Sequence, residues 1–94
     1  MEKETVVIDD DFGMVLNSAV RYALGRMTYL PSSLTRYIIP LLPNLNDRTL
    51  MCFIKDINSF HEDVKASQKS WGDEVDKYTW LEFLRLCQIE IERR

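Results

Sequence analysis

Histidine, cysteine, glycine and proline are all scarce in this chain of 94 residues, which has one, two, three and three of them respectively. A single histidine, His61, excludes a metal site built on several histidines. The three glycines lie far apart, so a glycine-rich phosphate-binding loop is excluded as well. Three glycines and three prolines are also too few for a low-complexity segment. The composition therefore predicts a folded chain, and its length predicts a single domain.

The two cysteines, Cys52 and Cys87, each fall inside a helical pattern and belong to no CxxC or Cys/His cluster. Two buried, reduced cysteines are typical of a cytoplasmic protein, because small secreted domains carry many more. Residues 1–13 contain only the short run TVVI before three aspartates, and this run is too short for a signal peptide or a membrane span. We therefore expect a cytoplasmic protein with no membrane association.

No set of residues in the sequence matches a catalytic or metal-binding motif. His61 shares a helical face with Leu50 and Ile57, as expected of a histidine in the core or at its edge. The acidic residues between Asp73 and Asp76 are too few for a calcium loop and suit helix caps better. The sequence thus predicts a protein that is not an enzyme, with no catalytic residue, no metal and no cofactor.

Helical periodicity accounts for most of the chain. The first helix is predicted from Asp11 to Arg26 or Met27, following three aspartates that suit its N-terminus. Its buried face is predicted to carry Phe12, Leu16, Ala19, Val20, Ala23 and Met27, with Asn17, Ser18, Arg21 and Gly25 opposite. The second helix is predicted to begin at Pro31–Ser33, to bury Leu34, Ile38 and Leu41 or Leu42, and to bend or end at Pro40 or Pro43.

The C-terminal half predicts two longer helices. Asn46 or Asp47 is expected to cap the third, whose apolar residues are Leu50, Phe53, Ile54, Ile57, Phe60 and Val64. Residues 65–73 read as a connecting loop, and Asp73 or Asp76 caps the fourth helix, which ends near Glu92 and buries Trp80, Phe83, Leu84, Cys87 and Ile91. We therefore predict an all-α bundle of about four helices, with an extended arm over residues 1–9 and a helical core over 10–94.

The fourth helix has a second apolar stripe, formed by Tyr78, Leu86 and Ile89 with Glu82 between them. A surface helix of a monomer is expected to be polar on this side. The sequence leaves three candidates for what covers this stripe: the TVVI segment at residues 5–8, a second copy of the chain in a homodimer, or another protein.

Charge is unevenly distributed along the chain. The net charge is −4 over residues 1–14, +4 over 15–55 and −3 over 56–94. Such segregation predicts either that the acidic ends neutralise the basic middle or that the middle offers a basic patch to a partner. The sequence leaves both alternatives open.

Tyrosine and arginine are concentrated in the basic segment. The residues are Tyr22, Arg26, Tyr29, Arg36 and Tyr37, all within sixteen positions. These two residue types supply much of the binding energy at protein interfaces, because they bury a large area and keep polar ends. They predict a partner-binding surface. The competing interpretation is that the tyrosines complete the edge of the core while the arginines pair with Asp9–Asp11 or Asp73–Asp76.

Nucleic-acid binding is the alternative function. The basic residues Arg21, Arg26, Arg36, Arg48 and Lys55 would have to supply the phosphate contacts. They do not share one helical face, since Arg21 and Arg26 would be about 140° apart on an ideal helix. Affinity for phosphates grows with the number of charges brought together, so the pattern favours a protein partner over a nucleic acid.

The segments AVRYALGRMTY, LPSSLTRYIIPLLPNL and WGDEVDKYTWLEF resemble short proteins of unassigned function from phages and mobile elements of Gram-positive bacteria. The resemblance spans about residues 12–86 and rests on Ala19, Arg21, Tyr22, Leu24, Gly25, Arg26, Tyr29, Pro31, Trp71, Gly72, Asp73, Asp76 and Trp80. It brings no catalytic residues.

What the resemblance implies is a small accessory or inhibitor protein acting in the cytoplasm of a bacterial host. Its partner would be a host or phage protein. The sharpest version is an anti-CRISPR-like inhibitor that binds a Cas effector. This implication comes from association with a family rather than from a recognised site.

Overall fold

The computed structural model describes residues 9–24 and 30–94, and they form four α-helices and one 3₁₀ helix. The helices are α1 (Asp10–Ala23), α2 (Leu30–Ile38), the 3₁₀ helix (Ile39–Asn44), α3 (Asp47–Lys65) and α4 (Glu74–Arg93). No strand occurs among these described residues, which confirms the predicted all-α class. Apart from Asp9, the predicted arm, including the TVVI segment, lies outside the described residues.

The three predicted helix starts share one capping arrangement. In each case a side-chain oxygen accepts a hydrogen bond from a backbone N–H three residues later, which satisfies a donor that has no partner inside the helix. Asp9 accepts from Phe12 at 2.9 Å, Asn46 from Thr49 at 2.9 Å and Asp73 from Asp76 at 2.7 Å. The N-termini of α1, α3 and α4 are therefore encoded locally, as predicted.

The prediction for α1 is wrong in two respects. The helix ends at Ala23 rather than at Arg26 or Met27, because Leu24 leaves helical geometry with φ −59° and ψ 127°. Its buried face is also rotated, since Phe12 is 47% exposed while Asn17 is only 7% exposed. Asn17 belongs inside because its Nδ2 donates a hydrogen bond across to the backbone oxygen of Thr49 at 3.2 Å. A buried polar group is stable only with such a partner.

Pro40 sets the end of α2. A proline has no N–H to donate to the carbonyl four residues earlier, and the chain changes at Ile39 into a 3₁₀ helix that continues through Pro43. Ile38 and Leu42 are buried, as predicted for this segment, and Leu34 packs against the core.

One apolar core joins all the elements. α3 packs against both α1 and α4, and α2 packs against the same two helices. The arrangement places α1 and α4 on opposite sides of the bundle, each with one face directed outward. The largest fully buried side chains come from the four α-helices and from Leu45, which follows the 3₁₀ helix: Val20, Ile38, Leu45, Leu50, Phe53, Ile57, Trp80, Phe83 and Cys87. The predicted buried faces of α3 and α4 are confirmed.

The segment between α3 and α4 contributes one core residue that the sequence analysis treated as loop. Trp71 is only 5% exposed, and its ring lies 4.8 Å from that of Phe60 and 5.9 Å from that of His61, centroid to centroid. Gly72 follows with φ 94°, a conformation that favours glycine. The turn therefore buries the Trp71 indole against Phe60 and His61 of α3.

Candidate functional site

The structure describes three of the five residues predicted to bind a partner. Tyr22, in the last turn of α1, is 61% exposed, and Tyr37 on α2 is 76% exposed. Arg36 is exposed beside Tyr37. Arg26 and Tyr29 lie outside the described residues. Because α1 and α2 pack against each other, the three described residues lie on two adjoining helices.

The outer side of α1 carries an apolar surface, the α1 face, formed by Phe12, Val15 and Tyr22. These side chains are 47%, 60% and 61% exposed. Their spacing of three and seven residues places them on one side of the helix, with half-buried Ala19 between them. The sequence analysis missed both residues, because it assigned Phe12 to the core and placed Val15 on neither face. The three-and-seven spacing was the available signal.

Two arginines of the basic segment are neutralised within the chain. Arg21 Nε lies 3.4 Å from Asp56 Oδ2 of α3, and Arg48 Nη1 lies 3.8 Å from Asp10 Oδ2 of α1. The second pair agrees with the hypothesis that the N-terminal aspartates neutralise the basic middle, whereas the first uses a carboxylate that was not foreseen. Both arginines are largely exposed, so each pair adds little to stability. Their main effect is to remove two cations from any surface offered to phosphates.

Arg36 differs from these two arginines. No carboxylate of a described residue lies within 4.0 Å of its guanidinium. It therefore presents a cation and five hydrogen-bond donors at an exposed position that immediately precedes Tyr37 on α2.

The second apolar surface, the α4 face, is formed by Val75, Tyr78 and Ile89. They are 69%, 69% and 42% exposed. Leu86, predicted to share this surface, is instead half-buried and packs against the core, so that part of the prediction is wrong. Its position at the flank of the face brings it against the core. Tyr78 lines a shallow depression of about 340 Å³ on this side of the helix.

A larger groove of about 540 Å³ lies where the end of α1 meets α3. Its lining contains Arg21, Leu24, Asp56, Ser59, Phe60, Asp63, Lys69 and Ser70. The charges in it are matched, since Arg21 pairs with Asp56 and Lys69 Nζ lies 3.3 Å from Asp63. A groove with balanced and paired charges selects neither an anion nor a cation.

Reactive groups do not converge in the described part of the chain. Cys52 is half-buried, and both cysteines are free thiols. Burial raises the pKa of Cys87 to about 12, so this thiol stays protonated near neutrality and is a poor nucleophile. His61 is half-buried against Trp71, at the edge of the core. Within residues 9–24 and 30–94, no three His, Cys, Asp or Glu side chains are placed to hold one metal ion.

One carboxyl group is buried at the start of α4. Asp76 is 6% exposed, and its Oδ2 has no hydrogen-bond partner among the described residues. Burial, and secondly the neighbouring Asp73 carboxylate, raise the pKa of Asp76 above its ordinary value. The native state therefore binds this proton more tightly than the unfolded chain does. The stabilisation from Asp76 is present at low pH and is lost as the pH rises through the folded-state pKa.

We accordingly expect Asp76→Asn to be more stable than the parent protein at pH 7 to 8, because the amide has the same shape and needs no buried charge. The advantage should disappear below about pH 3, where Asp76 is protonated in both states. Thermal unfolding across this pH range measures the difference. Glu74→Gln, an exposed change in the same turn, is the control and should show no such gain at neutral pH. An Asp76→Asn variant that is less stable at every pH would contradict the expectation.

Comparison with protein-family models, curated proteins and solved structures gives no match to this chain. Among the described helices, none combines the length and apolar character needed to cross a membrane.

Proposed function

We propose that this protein acts by binding one partner protein stoichiometrically, through the α1 face together with Arg36 and Tyr37 of α2. The observation that supports the proposal is the exposure of Phe12, Val15 and Tyr22 on one side of a single helix. Apolar and aromatic side chains at this spacing are the anchors by which a helix docks into a groove of another protein. Aromatic residues beside an arginine are also typical of the energetic centre of an interface.

The same surface indicates the chemistry of the partner. An apolar groove would cover the α1 face, and an acidic rim would pair with Arg36, whose guanidinium faces no described carboxylate within 4.0 Å. A guanidinium binds a carboxylate with two parallel hydrogen bonds, which adds orientation to the apolar contact. The proposed partner is therefore a protein with an acidic-edged hydrophobic groove.

The sharpest form of the proposal is inhibition of a bacterial defence nuclease, such as a Cas effector, in the cytoplasm of a host cell. Its support is the resemblance of residues 12–86 to small phage and mobile-element proteins. Inhibition by stoichiometric binding needs a stable helical scaffold and an exposed apolar face rather than a reactive pocket. The described residues supply such a scaffold and two such faces.

A nucleic-acid partner is less well supported. Arg21 and Arg48 already face carboxylates, which reduces the number of cations available for phosphates. Fewer phosphate contacts mean weaker, less salt-dependent binding. The protein-binding proposal needs only Arg36 from the basic set.

The test uses the immobilised protein and two surface variants, Val15→Glu and Tyr22→Glu, to capture proteins from a Gram-positive host lysate, with quantification by mass spectrometry. We expect at least one host protein to be retained by the parent chain and depleted at least tenfold by either variant, because a charge in an apolar contact costs more than 1.4 kcal/mol. Arg36→Glu should weaken the same capture. A purified Cas nuclease, assayed for DNA cleavage with one equivalent of each protein, tests the anti-defence form directly.

Met51→Glu is the matched control, because Met51 is 52% exposed on α3 and lies outside the α1 face. It should capture the same protein as the parent chain. The Val15→Glu, Arg36→Glu and Met51→Glu variants should unfold within about 0.5 kcal/mol of the parent, since they change exposed side chains. Equal capture by the parent and the Val15→Glu variant would contradict the proposal. Binding to random duplex DNA that weakens steeply between about 50 and 200 mM salt would favour the nucleic-acid alternative.

A further inference from the structure

The α4 face has a symmetry that the α1 face lacks. Val75, Tyr78 and Ile89 project from the side of α4 that faces away from α3 and α2, with Glu82 and Arg85 between Tyr78 and Ile89. Positions 75, 78, 82, 85 and 89 alternate by three and four residues, which is the spacing of the contact seam between two paired helices. The seam is apolar near both ends and charged in the middle.

Four of the five seam residues are arranged symmetrically about the midpoint of the helix. Tyr78 and Ile89 are equally far from the point between residues 83 and 84, and so are Glu82 and Arg85. A second α4 laid antiparallel, with a two-fold axis through that point, therefore sets Tyr78 level with Ile89 of the second copy. The same operation sets Glu82 level with Arg85 of the second copy.

We propose that a second copy of this chain docks antiparallel on the α4 face, forming a two-fold symmetric homodimer. Charge complementarity supports this occupant, because Glu82 and Arg85 each meet the opposite charge of the rotated copy, whereas Val75 alone meets a charged position, Glu92. Glu74 and Arg93, at the two ends of the helix, are also equidistant from the axis and opposite in charge. A two-fold interface must be self-complementary in this way. A parallel pairing would instead set Glu82 against Glu82 and Arg85 against Arg85.

The contact is small, so the dimer is expected to be weak. A helix of 20 residues is about 30 Å long, and one helix pair of that length falls at the low end of interface sizes. Within one chain, Glu82 and Arg85 already form a hydrogen bond of 2.7 Å, so their contacts with the second copy share an existing ion pair and add little, which also favours a weak dimer. Dimerisation at micromolar concentrations follows, rather than an obligate assembly.

The decisive experiment is sedimentation analysis of the full chain between about 1 and 500 µM, a range that brackets a micromolar dissociation constant. We expect the parent protein to approach twice its monomer mass of 11.1 kDa as the concentration rises. Glu82→Arg alone and Arg85→Glu alone should each weaken self-association at least tenfold, because each sets two like charges level with one another. An equimolar mixture of the two variants should recover dimerisation, since every opposed pair is then of opposite charge.

The mixing result separates a true interface from damage to the fold, because a misfolded variant is not rescued by a second variant. Met51→Glu should dimerise like the parent chain. A parent protein that stays monomeric at the highest concentration overturns the inference, as does a dimer that Glu82→Arg leaves unchanged. A dimer lost in Val15→Glu but kept in Glu82→Arg would move the interface to α1. Loss of partner capture by Val15→Glu with the dimer intact leaves both proposals standing separately.

Discussion

Replacing Arg94 with alanine is expected to lower the free energy of unfolding by about 2 to 3 kcal/mol, although Arg94 lies at the surface. Its guanidinium Nη2 donates to the backbone oxygens of Leu45 at 2.6 Å and Leu42 at 3.2 Å, and Nη1 donates to Asp47 at 2.7 Å. Its Nε donates to Glu90 at 3.1 Å. One side chain thus joins the end of α4 to the junction of the 3₁₀ helix and α3.

The loss of stability comes from the hydrogen-bond acceptors that lose a donor when Arg94 is removed. The Leu42 oxygen keeps its hydrogen bond from the Leu45 N–H, but the Leu45 oxygen loses the Arg94 donor, and Leu45 is 2% exposed, so water reaches its surroundings poorly. Glu90, 7% exposed, would keep only Arg93 as its hydrogen-bonded cation. Hydrogen bonds, first from Arg93 and then from Arg94, hold the pKa of Glu90 below its ordinary value. Glu90 therefore stabilises the fold above its unfolded-state pKa and loses that effect in acid.

Arg93→Ala is the matched control for Arg94→Ala. Arg93 contacts the same Glu90 carboxylate but makes no other described hydrogen bond, and its side chain is 62% exposed. We expect its removal to cost less than about 1 kcal/mol. Urea unfolding of both variants measures the difference. Arg94→Lys should recover only part of the loss, because an ammonium has three donors and cannot reach the four acceptors with the geometry of a guanidinium. Equal losses for Arg93→Ala and Arg94→Ala would show that Arg94 acts only through Glu90.

Local signals explain the parts of the fold that could be predicted from the sequence. Asp9, Asn46 and Asp73 precede periodic apolar runs, and an aspartate or asparagine at that position satisfies backbone donors three residues later. The buried faces of α3 and α4 follow from apolar residues at helical spacing. Each of these features depends on neighbours within four residues, which is why a single sequence reveals them.

Contacts between distant residues explain the parts that were missed. Arg94 meets Leu45 and Asp47 across almost half the chain, and no local pattern reports such a pairing. Hydrophobicity placed Phe12 inside and Asn17 outside, whereas the packing of α1 on α3 reverses them. Tyr22 and Tyr37 were expected at a surface and are exposed. The seam on α4 was only partly recognised, because Leu86 was included and Val75 was not.

Replacing Gly13 with alanine is expected to destabilise the protein by about 2 kcal/mol, in spite of the higher helix propensity of alanine. Gly13 faces Thr49 at the crossing of α1 and α3, where a Cβ atom would overlap Thr49 Oγ1 and lie 3.4 Å from Thr49 Cβ. Thr49 is 2% exposed, and its backbone oxygen and N–H bond Asn17 and Asn46. The threonine therefore has little freedom to move aside, and the two helices must separate.

The sign of the effect is expected to reverse when Thr49 is also changed to alanine. Without Oγ1 and Cγ2 the nearest remaining atom is Cβ at 3.4 Å, which is ordinary van der Waals contact. In that background Gly13→Ala should be neutral or stabilising by up to about 1 kcal/mol, the usual advantage of alanine over glycine inside a helix. A double-mutant cycle from urea unfolding gives the coupling free energy between the two positions. Additive effects of the two changes would show that the register of α1, which turns Phe12, Val15 and Tyr22 outward, does not depend on this close approach.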